Sequence, residues 1–211
     1  LKLNLINNSV IAQYRDRSLK NLQPSSVKRR LALISHMFSI AKKEWGFKID
    51  NPVLDVRKPK LPEPRDRRFT DEELKLLIYG NKTSEKLKSI IQIALETGMR
   101  QSEILRIRKE HLMNQSLFIP ITKTKPRTIP LTNKALDLLK SAKLPFGLSG
   151  IAVSKQFHNL CKFYNIKDAK FHDLRRQALT NFMKDKKLSV AETMFISGHS
   201  DPKMLLKTYN N

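Results

Sequence analysis

The sequence contains a single cysteine, Cys161, among its 211 residues. One thiol builds neither a disulfide framework nor a thiolate zinc site, which fits an intracellular, reducing location and a fold held by packing alone. Long apolar runs are missing as well. No stretch approaches the ~20 residues needed to cross a bilayer, and the first residues carry no signal-peptide core. The chain has neither internal repeats nor low-complexity tracts. Acidic residues are the remaining shortage: 19 Asp and Glu stand against 41 Lys and Arg, for a formal net charge of +22 and a pI of about 10.2. Such a surplus repels itself unless a polyanion neutralises part of it, which makes nucleic acid the leading partner. On charge alone a ribosomal-type basic protein or a binder of anionic lipid stays open.

Hydrophobic residues make up 40% of the chain, enough for a core, and its length accommodates one large or two modest domains. Up to and including Arg68 there are 16 basic and 6 acidic residues; beyond it there are 25 and 13. Positive charge is thus present in both parts. That distribution suits two lobes closing around a duplex, because counterion release rewards phosphate contacts spread along the backbone.

Apolar periodicity predicts helices over residues 9–20 and 24–46, the second with Val27, Leu31, Leu33, Ile34, Phe38, Ile40 and Ala41 as its apolar set. Lys28, Arg29, Arg30, Lys42 and Lys43 decorate its other side, a face that can lie along DNA or simply be solvated. The proline-rich, basic segment 57–68, which carries Arg65, Arg67 and Arg68, reads as an extended linker. Thr70 and Glu73 have capping-box spacing and open a helix that continues through Leu74, Leu76 and Leu77. A further helix is expected over 84–96 and stops at Gly98, a residue suited to the left-handed conformation that ends helices. Arg100 then falls in a tight turn between helices. Alternation at Leu117, Ile119, Ile121, Ile129 and Leu131 predicts a small sheet with turns at Asn114–Gln115 and Lys125–Pro126. Helical patterns follow over 132–142, 153–164, 172–184 and 189–196, with Ser189 and Glu192 as a second capping box, and a last short helix begins at Asp201–Pro202.

Arg100, Lys123, His172, Arg175, His199 and Tyr209 follow one another in the last half of the chain. Breaking a phosphodiester without a metal requires positive charge on the non-bridging oxygens, an in-line nucleophile and a proton for the leaving oxygen. Guanidinium groups supply the first in any protonation range a protein meets. A tyrosine lying close to two arginines is a workable nucleophile, and an ester to it conserves the energy of the broken bond. Imidazoles move protons near neutral pH. Each residue alone has a plainer reading, as a cap, a hairpin charge or a packing aromatic; His36, His111 and His158 have no such context and read as structural.

Four segments carry a resemblance that decides among these readings. Thr97-Gly98-Met99-Arg100-Gln101-Ser102-Glu103-Ile104 resembles T-G-x-R-x-S-E-[IL], and the segment from Thr122 to Leu131 resembles the hairpin T-K-T-x-K-x-R-x-[IV]-P-L. His172-Asp173-Leu174-Arg175-Arg176 resembles the H-x-L-R-[RH] box, and Gly198-His199-Ser200 with Tyr209 resembles the G-H-[SK] turn and nucleophile. All four belong to the tyrosine recombinase (phage integrase) family. Upstream, the stretch from Pro24 through Trp45-Gly46 and Asn51-Pro52 is similar to that family's helical core-binding domain. One departure is visible: ten positions separate His199 from Tyr209, where the family more usually has nine, a place taken here by Thr208.

The resemblance implies a mainly α fold with a small antiparallel β-sheet: a partial core-binding domain over 1–56, N-terminally incomplete, the linker 57–68, and a catalytic domain over 69–211. It implies a site-specific recombinase working through a 3′-phosphotyrosyl intermediate and a Holliday junction, with no cofactor, metal or ATP. Arg100 and Arg175 hold the phosphate, Tyr209 attacks, Lys123 protonates the 5′-oxygen, His172 takes the tyrosine proton and His199 hydrogen-bonds the phosphate. Glu103 orients Arg100, or is plain helix surface. The DNA contacts expected are the basic residues named above together with Lys125, Arg127 and Arg176. Expected partners are double-stranded recombination sites and, on DNA, three further copies of a chain monomeric in free solution, in the cytoplasm at the nucleoid, with no membrane. Two alternatives stay open: a non-cleaving DNA-binding accessory protein, and a type IB topoisomerase-like relaxing enzyme.

Overall fold

The computed structural model describes residues 5–63, 66–120, 125–203 and 205. Lys123, Arg65 and Tyr209, together with Ile121, lie outside them. The chain divides into two compact units, Leu1–Pro64 and Arg65–Asn211. It is mainly α, with one small antiparallel sheet. No helix among the described residues is long and apolar enough to cross a membrane.

The first unit is built on α1 (Asn8–Leu19) and α2 (Pro24–Lys43). Asn7 caps α1 by accepting from the Val10 amide at 3.1 Å, and Pro24 occupies the first turn of α2, where its missing N–H costs nothing. Ile11, Val27, Leu31, Val53 and Val56 form the core of the unit. Along α2 the buried stripe runs through 27, 31, 34, 38 and 41 in alternating steps of four and three, with half-buried Ile40 at its edge. Leu33 was expected in that set but is 70% exposed. At 100° per residue it points some 200° from Leu31, onto the side that carries Arg29 and Arg30. Asn51 ties the following segment back to α2, donating to the Ser35 carbonyl at 3.0 Å and accepting from the Val53 amide at 3.1 Å.

In the second unit α3 (Asp71–Tyr79) opens on the expected capping box: Thr70 Oγ accepts from the Glu73 amide at 3.2 Å and Glu73 accepts from the Thr70 amide at 3.0 Å. Leu77 is its buried residue, whereas Leu76 is 40% exposed, one residue off the stripe. Next comes α4 (Glu85–Thr97), the centre of the core, with Leu87, Ile90, Ile91, Ile93 and Ala94 buried against α3, α6, α7 and α8. Each of its buried isoleucines contributes about 1.5–3 kcal/mol. Gly98, at φ 61°, turns the chain into the four-residue α5 (Gln101–Ile104).

The sheet has the order β1 (Leu112–Met113), β2 (Ser116–Ile119), β3 (Arg127–Pro130), antiparallel throughout. Its register pairs Leu117 with Ile129 and Ile119 with Arg127, so all four point to one face, and the three apolar members are buried in the core. Helices α6 (Asn133–Ser141), α7 (Gly150–Phe163), α8 (Phe171–Lys184) and α9 (Val190–Ser197) complete the unit. Helix α7 starts three residues before the expected Val153 because Ser149 caps it, accepting from the Ala152 amide at 3.1 Å. Ser189 and Glu192 form the expected capping box of α9, which ends at Gly198, φ 67°. Pro202 and Lys203 are helical, as expected, and Leu205 is fully buried beside Ala178, Leu179 and Phe182.

Candidate active site

Three corners of the second unit meet at one place: the α4–α5 turn, the first turn of α8 and the end of α9. Each places one expected site residue on a backbone that sequence has fixed. Arg175, one turn into α8, is 3% exposed and donates through Nη1 to the Gly98 carbonyl and through Nη2 to the Ser197 carbonyl, both at 2.8 Å. Its guanidinium thus spans the two glycine-ended helices, α4 and α9. Arg100 reaches the same segment from the other side, with Nη1 3.4 Å from the Ser197 carbonyl and Nη2 3.3 Å from the Gly198 carbonyl. Among the described residues, neutral carbonyls accept from Arg175 and from one edge of Arg100. Carbonyl bonds orient a guanidinium without cancelling its charge.

His199 follows the Gly198 turn, with Nε2 3.5 Å from Arg175 Nη2 and Nδ1 2.7 Å from Ser197 Oγ. An arginine nitrogen only donates, so the lone pair is assigned to Nε2 and the proton to Nδ1, which donates to Ser197 Oγ. Ser197 in turn lies 3.4 Å from the Met194 carbonyl and donates to it. Burial, then the charges of Arg175 and Arg100, push the His199 imidazole down to about 4. His172 shares a helix face with Arg175, three residues on. It keeps exposed surface, yet the protein atoms around it and then Arg175 push its imidazole below the usual histidine range, Asp173 opposing. Burial is the larger cause in both, and the charges of Arg175 and Arg100 add to it.

Glu103 is the carboxylate of this cluster, with its side chain 1% exposed. Oε2 accepts from the Arg100 amide at 2.9 Å and Oε1 from Arg100 Nη1 at 3.1 Å. Arg127 closes on it from β3 with Nη1 and Nη2 each 3.0 Å from one carboxylate oxygen. Burial works to raise this carboxyl, but the bonds from Arg127 and the Arg100 amide, with both positive charges, hold it below the ordinary carboxylate range. Glu103 therefore stands behind Arg100 as an orienting group, and the helix-surface alternative is excluded by its burial.

The structure thus brings together Arg100, Glu103, His172, Arg175 and His199; Lys123 and Tyr209 lie outside the described residues. Among expected DNA contacts, Lys28, Arg29, Arg30, Lys42, Lys43 and Lys125 are exposed. Two differ from expectation. The Arg127 side chain is 8% exposed and its guanidinium faces Glu103 instead of solvent. Arg67 pairs with Glu73 at 2.5 Å and lies 5.0 Å from the Phe69 ring centroid, a brace for the start of α3. Arg68 pairs with Asp66 at 3.3 Å, and Arg176 is half-buried beside His172. Among the described residues no group of three or more His, Cys, Asp or Glu side chains is arranged to hold a metal ion.

A sequence model of the phage integrase family matches residues 67–143. The Shufflon-specific DNA recombinase of Escherichia coli is 38% identical over 214 positions, which cover 92% of this chain and 55% of that protein. A Haemophilus influenzae protein described as an integrase/recombinase is 30% identical over 208 positions, covering 90% of this chain and 68% of its own. The chain belongs to the phage integrase family, that of the tyrosine recombinases. It spans little more than half the length of the first relative. Among solved structures, a lambda integrase dimer bound to a COC′ core site superposes with a TM-score of 0.85 at 22% identity, over 99% of this chain and 81% of that one. The Tn1549 transposon integrase in complex with circular intermediate DNA gives 0.81 at 18%, over 99% and 82%. At these identities the likeness shows a shared fold.

Two features of this phage integrase family member's site are not given by its motifs. Ser197, which fixes the His199 tautomer, sits in no motif and is found only once the α9 end is folded. The inward turn of Arg127 had a visible signal: Ile129, two residues along the strand, belongs to the core, and residues i and i+2 share a face.

Proposed function

We propose that this chain carries the DNA-cleaving and rejoining machinery of a site-specific tyrosine recombinase. The observation that carries the reading is the junction of α4, α8 and α9, where Arg100 and Arg175 are tethered chiefly to backbone carbonyls and flank His199. Arg100 and Arg175 bind the non-bridging oxygens of the scissile phosphate, and the negative charge brought by the phosphate raises the proton affinity of the two depressed imidazoles, readying His172 to accept a proton and His199 to hydrogen-bond the phosphate. Tyr209 attacks phosphorus; a bond forms from its phenolic oxygen, the bond to the 5′-oxygen breaks, and a 3′-phosphotyrosyl ester results. His172 accepts the tyrosine proton and Lys123 protonates the departing 5′-oxygen. The 5′-hydroxyl of a partner duplex reverses these steps, and two such exchanges pass through a Holliday junction. Bond energy is conserved in the ester, so neither ATP nor a metal is part of this scheme.

Four copies acting on two recombination sites supply the strands, and the exposed bases of α2, Lys28, Arg29, Arg30, Lys42 and Lys43, contribute phosphate contacts from a core-binding domain over 1–56, with the segment 57–68 as linker. The relatives' names, recombinase and integrase, support this reading. Its test uses the protein and a Tyr209→Phe variant with a nicked suicide duplex carrying a candidate site from DNA flanking the gene, in EDTA, on denaturing gels. A shifted covalent adduct that vanishes in the variant is expected. Tight binding with no adduct overturns the reading in favour of a non-cleaving DNA-binding protein.

A further inference from the structure

We infer that Arg127 is a positioning residue of the active site, a clamp that holds Glu103 behind Arg100 and fixes the turn carrying His199, and not a DNA contact. The inference rests on the recombinase reading above. Its basis is a three-way attachment made by one planar group. Nη1 and Nη2 take the two oxygens of Glu103, each at 3.0 Å, while Nε donates to the Ile196 carbonyl at 3.0 Å. With the amide and Nη1 of Arg100 on the same carboxylate, Glu103 accepts four hydrogen bonds, which is about what two carboxylate oxygens hold. The acid is therefore saturated and has no capacity left to draw Arg100 further from the phosphate position.

The same guanidinium lies directly against the Gly198 turn. A β-carbon added at Gly198 would sit 3.0 Å from both Cζ and Nη1 of Arg127, and φ there is +67°. The close approach and the positive φ both require glycine, and they seat the Gly198 turn on Arg127 itself. One residue of β3 thus sets the position of a residue on the α4–α5 corner and of the end of α9. Register places it there: Arg127 pairs with Ile119, and both face inward. Its side chain is 8% exposed, and the Nη1–Nη2 edge of its guanidinium is turned to Glu103.

Lysine cannot replace this fork, because a single ammonium does not reach two carboxylate oxygens and a carbonyl with one planar geometry. Removing the charge altogether leaves Glu103 buried with Arg100 as its sole cationic partner among the described residues, so Arg100 is drawn toward the acid. Misplacement of a catalytic group by about 1 Å costs on the order of 100-fold in rate.

The test compares wild type, Arg127→Lys, Arg127→Met and Arg127→Met/Glu103→Gln on the nicked suicide duplex under single-turnover, saturating conditions, with affinity for intact duplex measured at several salt concentrations. Expected are a loss of roughly 100-fold in cleavage for Arg127→Met and roughly tenfold for Arg127→Lys, with unchanged affinity and salt slope. The double variant, which removes the acid's charge along with its partner, recovers about tenfold over Arg127→Met. A phosphate contact would instead weaken binding, lower the salt slope by about 1 and leave the saturated rate intact; that result, or wild-type cleavage by Arg127→Met, overturns the inference. A separate readout is independent of cleavage: amide hydrogen exchange at Gly198 and His199, both bonded to the Met194 carbonyl, rises in Arg127→Lys while the α4 amides keep their protection. Unchanged exchange there overturns the clamp whether or not the wild type forms an adduct, and a wild type without adduct fails only the recombinase reading.

Discussion

Replacing His199 by glutamine is expected to flatten the acid limb of the stability curve. In the folded protein the His199 imidazole protonates at about 4, against 6.5 for an unperturbed histidine. The folded pKa is the lower one, so as pH falls the unfolded chain takes up the proton first, and stability that is fully present above 6.5 is lost on the way down to about 4. At about 1.4 kcal/mol per pH unit that window corresponds to at most about 3 kcal/mol. His172 shifts in the same direction and adds to the loss, whereas Glu103, whose folded pKa is depressed, loses its contribution only below the carboxylate range. Urea unfolding of wild type and His199→Gln at steps between pH 7 and pH 4 isolates the His199 share, because the other groups enter both curves. The wild type is expected to lose up to about 3 kcal/mol more than the variant across that window. Parallel curves would refute the assignment of a neutral, Nδ1-protonated His199 held between Ser197 and Arg175. A titration of the imidazole by NMR adds a second check: inorganic phosphate in the site should raise its midpoint, since an anion between the two arginines reverses the field that depresses it.

Arg175→Lys is expected to keep DNA affinity and lose roughly 10- to 100-fold in single-turnover cleavage, because one ammonium cannot hold both the Gly98 and Ser197 carbonyls and at least one charge-assisted bond of about 1.5–3 kcal/mol goes unmade. A variant cleaving at the wild-type rate on denaturing gels would count against the carbonyl tether. Gly98→Ala is expected to destabilise by about 2–4 kcal/mol: its φ of +61° disfavours a β-carbon, and that carbon would lie 2.9 Å from Leu179 Cδ2 in the core. Calorimetry should register a Tm drop of roughly 10 °C. A drop within a degree or two would show that α4 ends in a looser turn than the geometry describes.

Local rules located most elements, and tertiary packing decided what they left. Capping boxes at Thr70–Glu73 and Ser189–Glu192 formed as their spacing predicts, because each satisfies orphan helix donors within four residues and needs nothing from the rest of the fold. Gly98 and Gly198 ended α4 and α9 for the same local reason. Leu33 and Leu76 are hydrophobic but out of helical phase with their neighbours, so both lie off their stripes. Helix α7 began early since Ser149 is a cap followed by Gly150, a poor helix former that conceals the start. A hairpin arginine in a chain of charge +22 invites the reading of a DNA contact, and nothing local to Arg127 points to its bond with Glu103. Its partner, Glu103, is 24 residues away on another element, a distance no local pattern reports. Sequence motifs named the residues that converge at the site; their tethers, the carbonyls of Gly98, Ser197 and Gly198, have no side-chain identity to read.

Those carbonyl tethers also explain how the site stays charged. Counting the formal charges that meet at the junction, Arg100, Arg127 and Arg175 give three positive charges and Glu103 one negative; Asp173 and Arg176, both near His172, cancel. The described cluster is left at two positive charges, with both imidazoles neutral at pH 7. In the proposed reaction a bound phosphodiester brings one negative charge, so the described cluster keeps an excess of one positive charge over that ground state, in place before charge builds on the non-bridging oxygens. Had acids rather than carbonyls oriented Arg175 and the free edge of Arg100, that excess would be gone. The acid that orients Arg100, Glu103, is held by Arg127, a guanidinium that faces away from solvent, so that orientation leaves the proposed phosphate-binding charge intact.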